Sequence, residues 1–157
     1  MKPFFKMPNP VPFTKAGYEK VKQDIEYYST KRKKAVINLK TAREMGDLSE
    51  NAAYKAARFE LGNIDRQLRN LNYLLRFGVV TEEIRSDIVS FGSRVTLDNG
   101  TKKLTFNLVG GNESNPEEHK LSIYSPIGKA IMHKRVGDTI YVTAPMGQIK
   151  YTVVTVD

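Results

Sequence analysis

The chain has 157 residues, with no cysteine, no tryptophan and 25 Lys+Arg against 17 Asp+Glu. That length fits one or two small domains with a real core, and the missing cysteine excludes a disulfide framework and a thiolate zinc site. No run of about 18 apolar residues offers a transmembrane helix. The opening MKPFFKMPNP holds three prolines and no long apolar stretch, which does not read as a signal peptide. A soluble, cytoplasmic protein that does not engage a membrane is expected.

The positive charge is confined to the first half. Residues 1–81 carry 16 Lys+Arg against 8 Asp+Glu, and residues 82–157 carry 9 of each. A basic half attached to a neutral half suggests a polyanionic partner for the first. A solvated, charged helix face would give the same count.

Residues 14–77 contain no proline and read as helical, with Thr14 as a natural N-cap after Pro12. Tyr18, Val21, Ile25, Tyr28, Arg32, Ala35, Leu39 and Ala42 recur in alternating steps of three and four. This is a coiled-coil seam, with one polar break at Arg32. Tyr54, Ala57, Leu61, Ile64, Leu68, Leu71 and Leu75 form a second, unbroken seam. Between them, Gly46 suits a helix C-cap, and Asp47 or Ser49 suits the N-cap of the next helix. So short a link folds the two helices back as an antiparallel hairpin. Ala42 then faces Tyr54, Leu39 faces Ala57 and Ala35 faces Leu61, small against large. Arms of roughly 27–31 residues reach roughly 40–45 Å. The seam is satisfied within one chain, which predicts a monomer. At Arg32, which faces Ile64, the aliphatic stem covers apolar surface while the head reaches water, and Asp65 is a salt-bridge candidate.

Residues 78–87 read as a connector. Beyond them the period falls to two, giving expected strands at 88–91, 93–97, 103–109, 120–124, 139–144 and 149–156. Asp98-Asn99-Gly100 and Pro145-Met146-Gly147 read as turns, and Ser125-Pro126 opens a short helix over 126–132. The expected fold class is α+β: domain 1–81 is the hairpin, with 1–13 an extension, and domain 82–157 is a small α+β domain with an antiparallel sheet.

Asp47 and Glu50 stand three apart at the expected start of the second helix and can share one face. One reading is a capping box, with two carboxylates near a positive helix end. The other is a site for a hard cation. Mg²⁺ takes one or two carboxylates and fills its other positions with water and substrate phosphate. Two carboxylates complete such a site only if a partner supplies the remaining ligands.

Several segments carry a resemblance: Thr14-Lys-Ala-Gly17, the stretch from Ala42 through Gly46-Asp47-Leu48-Ser49-Glu50-Asn51 to Tyr54, Phe91-Gly92-Ser93, Ser125-Pro126-Ile127-Gly128-Lys129-Ala130 and Val136-Gly137-Asp138. In order and spacing they resemble the signature segments of the Gre transcript-cleavage factors, the GreA type more than the GreB type, over residues 14–157. The resemblance implies a transcription elongation factor whose hairpin enters the secondary channel of bacterial RNA polymerase. Asp47 and Glu50 would be the catalytic, metal-holding pair, sharing a Mg²⁺ ion with the polymerase and orienting the attacking water. The transcript would then be cleaved near its backtracked 3′ end. The catalyst would be the polymerase, so this chain would not itself be an enzyme. The second domain resembles an FKBP-like domain that docks at the channel mouth.

Within that resemblance, Lys40, Arg43, Lys55 and Arg58 flank the tip and could grip phosphates of the nascent RNA 3′ end. Lys31-Arg32-Lys33-Lys34, about 20 Å below the tip, could grip RNA or the channel wall. For each cation a solvated face is the plain alternative. Leu48 could project at the tip or pack within the turn. Two positions depart from the family pattern: Gln67 stands where an arginine is usual, and His133 where a glycine is usual.

Three rivals remain. A relative of the same fold could occupy the channel and inhibit transcription; the intact Gly46–Asn51 segment argues against it. An FKBP-like domain could isomerise prolyl bonds, but that needs an aromatic-lined pocket, and this half has no Trp and few aromatics. A general nucleic-acid-binding coiled coil would explain the basic half and leave the acidic tip without a role.

Overall fold

The computed structural model describes residues 10–45, 51–81, 86–145 and 147–157. The chain divides into two compact units. One is built on Tyr18–Gly78, and the other joins Val11–Gly17 to Val79–Asp157.

The first unit is the hairpin. Helix α1 spans Lys15–Glu44 and α2 spans Ala52–Phe77. Three hydrogen bonds tie them in antiparallel order. Tyr18 Oη donates to the Leu75 carbonyl at 2.9 Å, Arg32 Nε to Asp65 Oδ1 at 2.7 Å, and Asn51 Nδ2 to the Ala42 carbonyl at 2.8 Å. The partner descends α2 as the position climbs α1, as antiparallel packing requires. The buried residues of the two helices, Val21, Ala35, Ala42 and Ile64, are all seam positions. Most of the remaining seam is half-buried, because each helix has a single helical neighbour. The Arg32 break is held as expected, with its side chain 48% exposed and paired to Asp65.

The second unit is built on a five-stranded sheet. Its strands are β3 (Arg94–Asp98), β4 (Lys103–Val109), β5 (Lys120–Ser122), β6 (Thr139–Ala144) and β7 (Gly147–Val156), ordered β5-β4-β3-β7-β6. The β3/β4, β3/β7 and β6/β7 pairs are antiparallel, with a bulge between Thr96 and Leu97. The β4/β5 pair is parallel, so the sheet is antiparallel in all pairs but this one. Alternate residues Val95, Leu97, Ile140, Val142, Tyr151 and Val153 point into one core with Val89, Leu108 and Ile131. Helix α3 (Pro126–Ile131) supplies Ile131 to it. Its N-cap is the expected one: Ser125 Oγ accepts from the Gly128 amide at 3.0 Å. The Asp98-Asn99-Gly100 turn also forms. Asp98 Oδ1 accepts from the Gly100 amide, and Asn99 Oδ1 from those of Thr101 and Lys102.

Three expectations need correction. Residues 88–91 form no strand; Ile88 makes an isolated bridge to Arg135. The Ser93 hydroxyl accepts the Ser90 amide and Gly92 takes φ +85°, which turns the chain instead of extending it. The 120–124 strand stops at Ser122, whose hydroxyl accepts the Tyr124 amide and whose carbonyl accepts the Ser125 hydroxyl. Finally, two short strands were not foreseen: β1 (Val11–Phe13) and β2 (Gly78–Val80) form a separate two-stranded sheet. Three-residue strands show too little alternation to be read from the sequence.

Two motif glycines have a steric reason. A Cβ on Gly128 would lie 2.1 Å from the Ser122 carbonyl oxygen, and one on Gly17 would lie 1.9 Å from Glu113 Oε1. At Gly128 the obstacle is backbone, which a side chain could not displace, whereas at Gly17 the Glu113 carboxylate would have to shift.

Candidate functional site at the hairpin tip

The tip is the stretch between the end of α1 at Glu44 and the start of α2 at Ala52. Asp47 and Glu50, with Gly46, Leu48 and Ser49, lie outside the described residues. What flanks them is described, and it changes the capping assignment. The N-cap of α2 is Asn51, whose Oδ1 accepts from the Tyr54 amide at 2.9 Å. Neither Asp47 nor Ser49 holds that position. Asn outcompetes them for a physical reason: its amide is both acceptor and donor. While Oδ1 caps α2, Nδ2 satisfies the Ala42 carbonyl in the last turn of α1. A carboxylate or a hydroxyl would not do both as well. An Asp47-x-x-Glu50 capping box, read as the start of α2, therefore does not coincide with the observed N-cap.

The four cations expected to flank the tip are all exposed: Lys40 and Arg43 in the last turns of α1, Lys55 and Arg58 in the first turns of α2. None of them forms an ion pair among the described residues. Arg43 also lies where a cation favours the negative end of α1. Lys55 and Arg58 are brought together in an open groove of about 520 Å³ along α2. It extends past Phe59, Gly62 and Asn63 to Arg66 and Arg69. Lys40 and Arg43 do not line it. Sequence reasoning missed Phe59, Arg66 and Arg69 as members of this surface. The spacing 55, 58/59, 62, 66, 69 was the available signal, because it follows one stripe of a helix. Among the described residues, no three His, Cys, Asp or Glu side chains gather into a metal site. No helix among them is long and apolar enough to cross a membrane.

Comparison with known proteins agrees with the arrangement. Residues 11–80 match the family described as "Transcription elongation factor, N-terminal", and residues 84–157 match "Transcription elongation factor, GreA/GreB, C-term". The "Transcription elongation factor GreA" of Geobacillus kaustophilus is 40% identical over 151 residues, covering 92% of this chain and 95% of its own length. The chain belongs to the GreA/GreB family. The GreA of Syntrophomonas wolfei is 38% identical, with 94% and 96% covered. Among solved structures, the GreA factor homolog 1 of Thermus thermophilus is 29% identical, with 95% and 99% covered and a TM-score of 0.47. The fold is α+β, a helical hairpin followed by a sheet domain, and the chain is a Gre-type transcription elongation factor of the GreA type.

Proposed function

We propose that this factor inserts its hairpin into the secondary channel of bacterial RNA polymerase and stimulates cleavage of a backtracked transcript. Asp47 and Glu50, at the turn of the hairpin, are the residues that act there. The observation that carries this reading is the Asn51 cap. Because Asn51 satisfies the Tyr54 amide, the N-cap of α2 makes no demand on Asp47. The Tyr54 amide thus does not require Asp47 as its cap, which supports a role for the two carboxylates in binding a cation.

The donor set suits Mg²⁺, a hard cation that accepts one or two carboxylates and retains water and phosphate oxygens. Two carboxylates hold it only together with ligands from the polymerase. When bound, the ion supplies Lewis-acid stabilisation of the phosphoryl oxygens and a more acidic bound water. Asp47 and Glu50 contribute negative charge that fixes the cation and acceptors that orient the attacking water. Lys40, Arg43, Lys55 and Arg58 hold phosphates of the RNA 3′ end by charge-assisted hydrogen bonds. On this reading the hydrolytic catalyst is the polymerase, the factor is no enzyme by itself, and it works as a monomer in the cytoplasm. Each arm, of 30 and 26 residues, is long enough to reach deep into a channel, at about 45 and 39 Å.

The test is a stalled, backtracked elongation complex with transcript labelled near its 3′ end, given Mg²⁺ and either the native protein or Asp47→Ala, Glu50→Ala. The expected result is rapid release of short 3′ fragments with the native protein only, with both proteins still binding polymerase. Binding without faster cleavage by the native protein would make it a channel-occupying inhibitor.

A further inference from the structure

Phe59 is 72% exposed, one of the two most exposed large apolar side chains among the described residues. A single exposed apolar residue is ordinary on a protein surface. The setting of this one is not. The seam of α2 runs through Ala57 and Leu61, and Phe59 stands between them on the opposite face. It is bracketed along that face by Lys55 and Arg58 toward the tip and by Arg66 and Arg69 away from it, and these residues line a common groove. The groove contains four cations and no carboxylate. One turn beyond Phe59 stands Gly62. A Cβ there would meet nothing within 4 Å, so no packing requires the glycine, although glycine costs about 1 kcal/mol inside a helix. Its missing side chain leaves open space beside the aromatic ring.

Cations spaced along a helix suit a polyanion, and an accessible ring with free space beside it suits a flat, unpaired aromatic ligand. Single-stranded nucleic acid offers both at once, whereas a duplex hides its base faces in the stack. We infer that Phe59 is a stacking platform for an unpaired base of the extruded transcript, with Lys55, Arg58, Arg66 and Arg69 holding the phosphates on either side. This rests on the reading under Proposed function and extends it: the factor would hold the RNA by a base as well as by its backbone. Stacking on an aromatic face tolerates any base, so the grip would be indifferent to sequence. By helical rise, Phe59 lies about 10 Å from the first residue of α2, and Arg66 about 10 Å further. The surface would thus engage extruded nucleotides a short distance to the 3′ side of the reacting phosphate.

The experiment compares the affinity of the full-length protein for two reconstituted polymerase elongation complexes. One is backtracked by several nucleotides, with extruded RNA; the other is held in register, with none. Phe59→Ala should weaken binding to the backtracked complex about 10-fold and leave the in-register complex unchanged. Phe59→Trp should restore the preference, and Phe59→Leu should not. Replacing the extruded nucleotides by abasic ones should erase the difference between native protein and Phe59→Ala. Equal weakening on both complexes would mean that Phe59 touches a polymerase wall, and no weakening on either would mean that it stays in solvent. Either result overturns the inference while the native protein still binds and stimulates cleavage. Failure of the native protein to bind polymerase at all is a different outcome, and it would overturn the parent reading together with this one.

Discussion

The Glu113 carboxylate accepts hydrogen bonds from both the backbone amide of Thr14, at 2.9 Å, and its hydroxyl, across 99 positions of sequence. The Thr14 hydroxyl in turn accepts the Gly17 amide at 3.0 Å. The first turn of α1 is thus capped by Thr14, and the cap is itself held by a short 3₁₀ turn, Gly111–Glu113, of the sheet unit. Hydrogen bonds to a charged acceptor contribute about 1.5–3 kcal/mol. Glu113→Ala should therefore lower the melting temperature by several degrees, and Glu113→Gln, which keeps one acceptor, by less. A double-mutant cycle with Thr14→Ala should show coupling of about 1 kcal/mol or more. Strictly additive effects would show that the two side chains do not act as a pair.

Asn51 makes a sharper prediction, because its two functions separate. Asn51→Ala removes both the cap of α2 and the donor to Ala42, and should cost about 1–2 kcal/mol. Asn51→Asp keeps the capping oxygen and loses the Nδ2 donor, leaving the Ala42 carbonyl without this partner. It should fall between the native protein and Asn51→Ala in chemical denaturation. If Asn51→Asp matched the native protein, the bond to Ala42 would contribute nothing. If the proposed function holds, the same variants should lower cleavage stimulation more than the stability loss explains, since Asn51 adjoins Glu50 in the chain.

The hairpin was legible in the sequence because a seam writes itself at regular spacing: Val21, Ala35, Ala42 and Ile64 were placed in it and are buried. The Arg32–Asp65 pair was legible for the same reason, since register along two seams places one residue beside another. The Thr14–Glu113 contact was not, because no periodicity connects residues so far apart. The helix N-cap was misplaced because Asp47, Ser49 and Asn51 are all good caps. Asn51 is the one seen to cap α2, and its bond to the Ala42 carbonyl is a tertiary contact that spacing does not report. The parallel β4/β5 pair escaped because alternation reports which face a residue takes, not which strand lies beside it. Phe59 escaped because a seam-based reading follows the apolar residues that match the period and passes over the one that does not. For Asp47 and Glu50, which lie outside the described residues, spacing alone favoured a capping box, and the metal-holding reading came from the resemblance of the surrounding segment.

Arg32 tests how much the polar break in the seam matters. Its bond to Asp65 is 2.7 Å long, but the side chains are 48% and 33% exposed, so water screens much of the attraction. A double-mutant cycle of Arg32→Ala and Asp65→Ala should give coupling below about 1 kcal/mol, shrinking as salt is added. Arg32→Leu should leave the hairpin as stable or slightly more stable, because a leucine completes the apolar seam. A loss of more than about 2 kcal/mol with Arg32→Leu would mean that the arginine specifies helix register instead of filling a gap.

His133 is exposed and takes φ +64°, a left-handed conformation in which a side chain is strained. The backbone demands that conformation. Just past α3, the His133 amide donates to the Val89 carbonyl at 2.8 Å, and the Lys134 carbonyl accepts from the Val89 amide at 2.8 Å. Val89 is fully buried, so this pair of bonds anchors the turn to the core of the sheet unit. A glycine would adopt the same φ without strain, which is the physical sense of the glycine expected at this position. His133→Gly should therefore raise stability by about 0.5–1 kcal/mol, less the entropy glycine adds to the unfolded chain. His133→Ala keeps the Cβ and should give no gain. Thermal unfolding of the two variants decides the matter. If both behave alike, the imidazole and not the backbone sets the energetics of this turn.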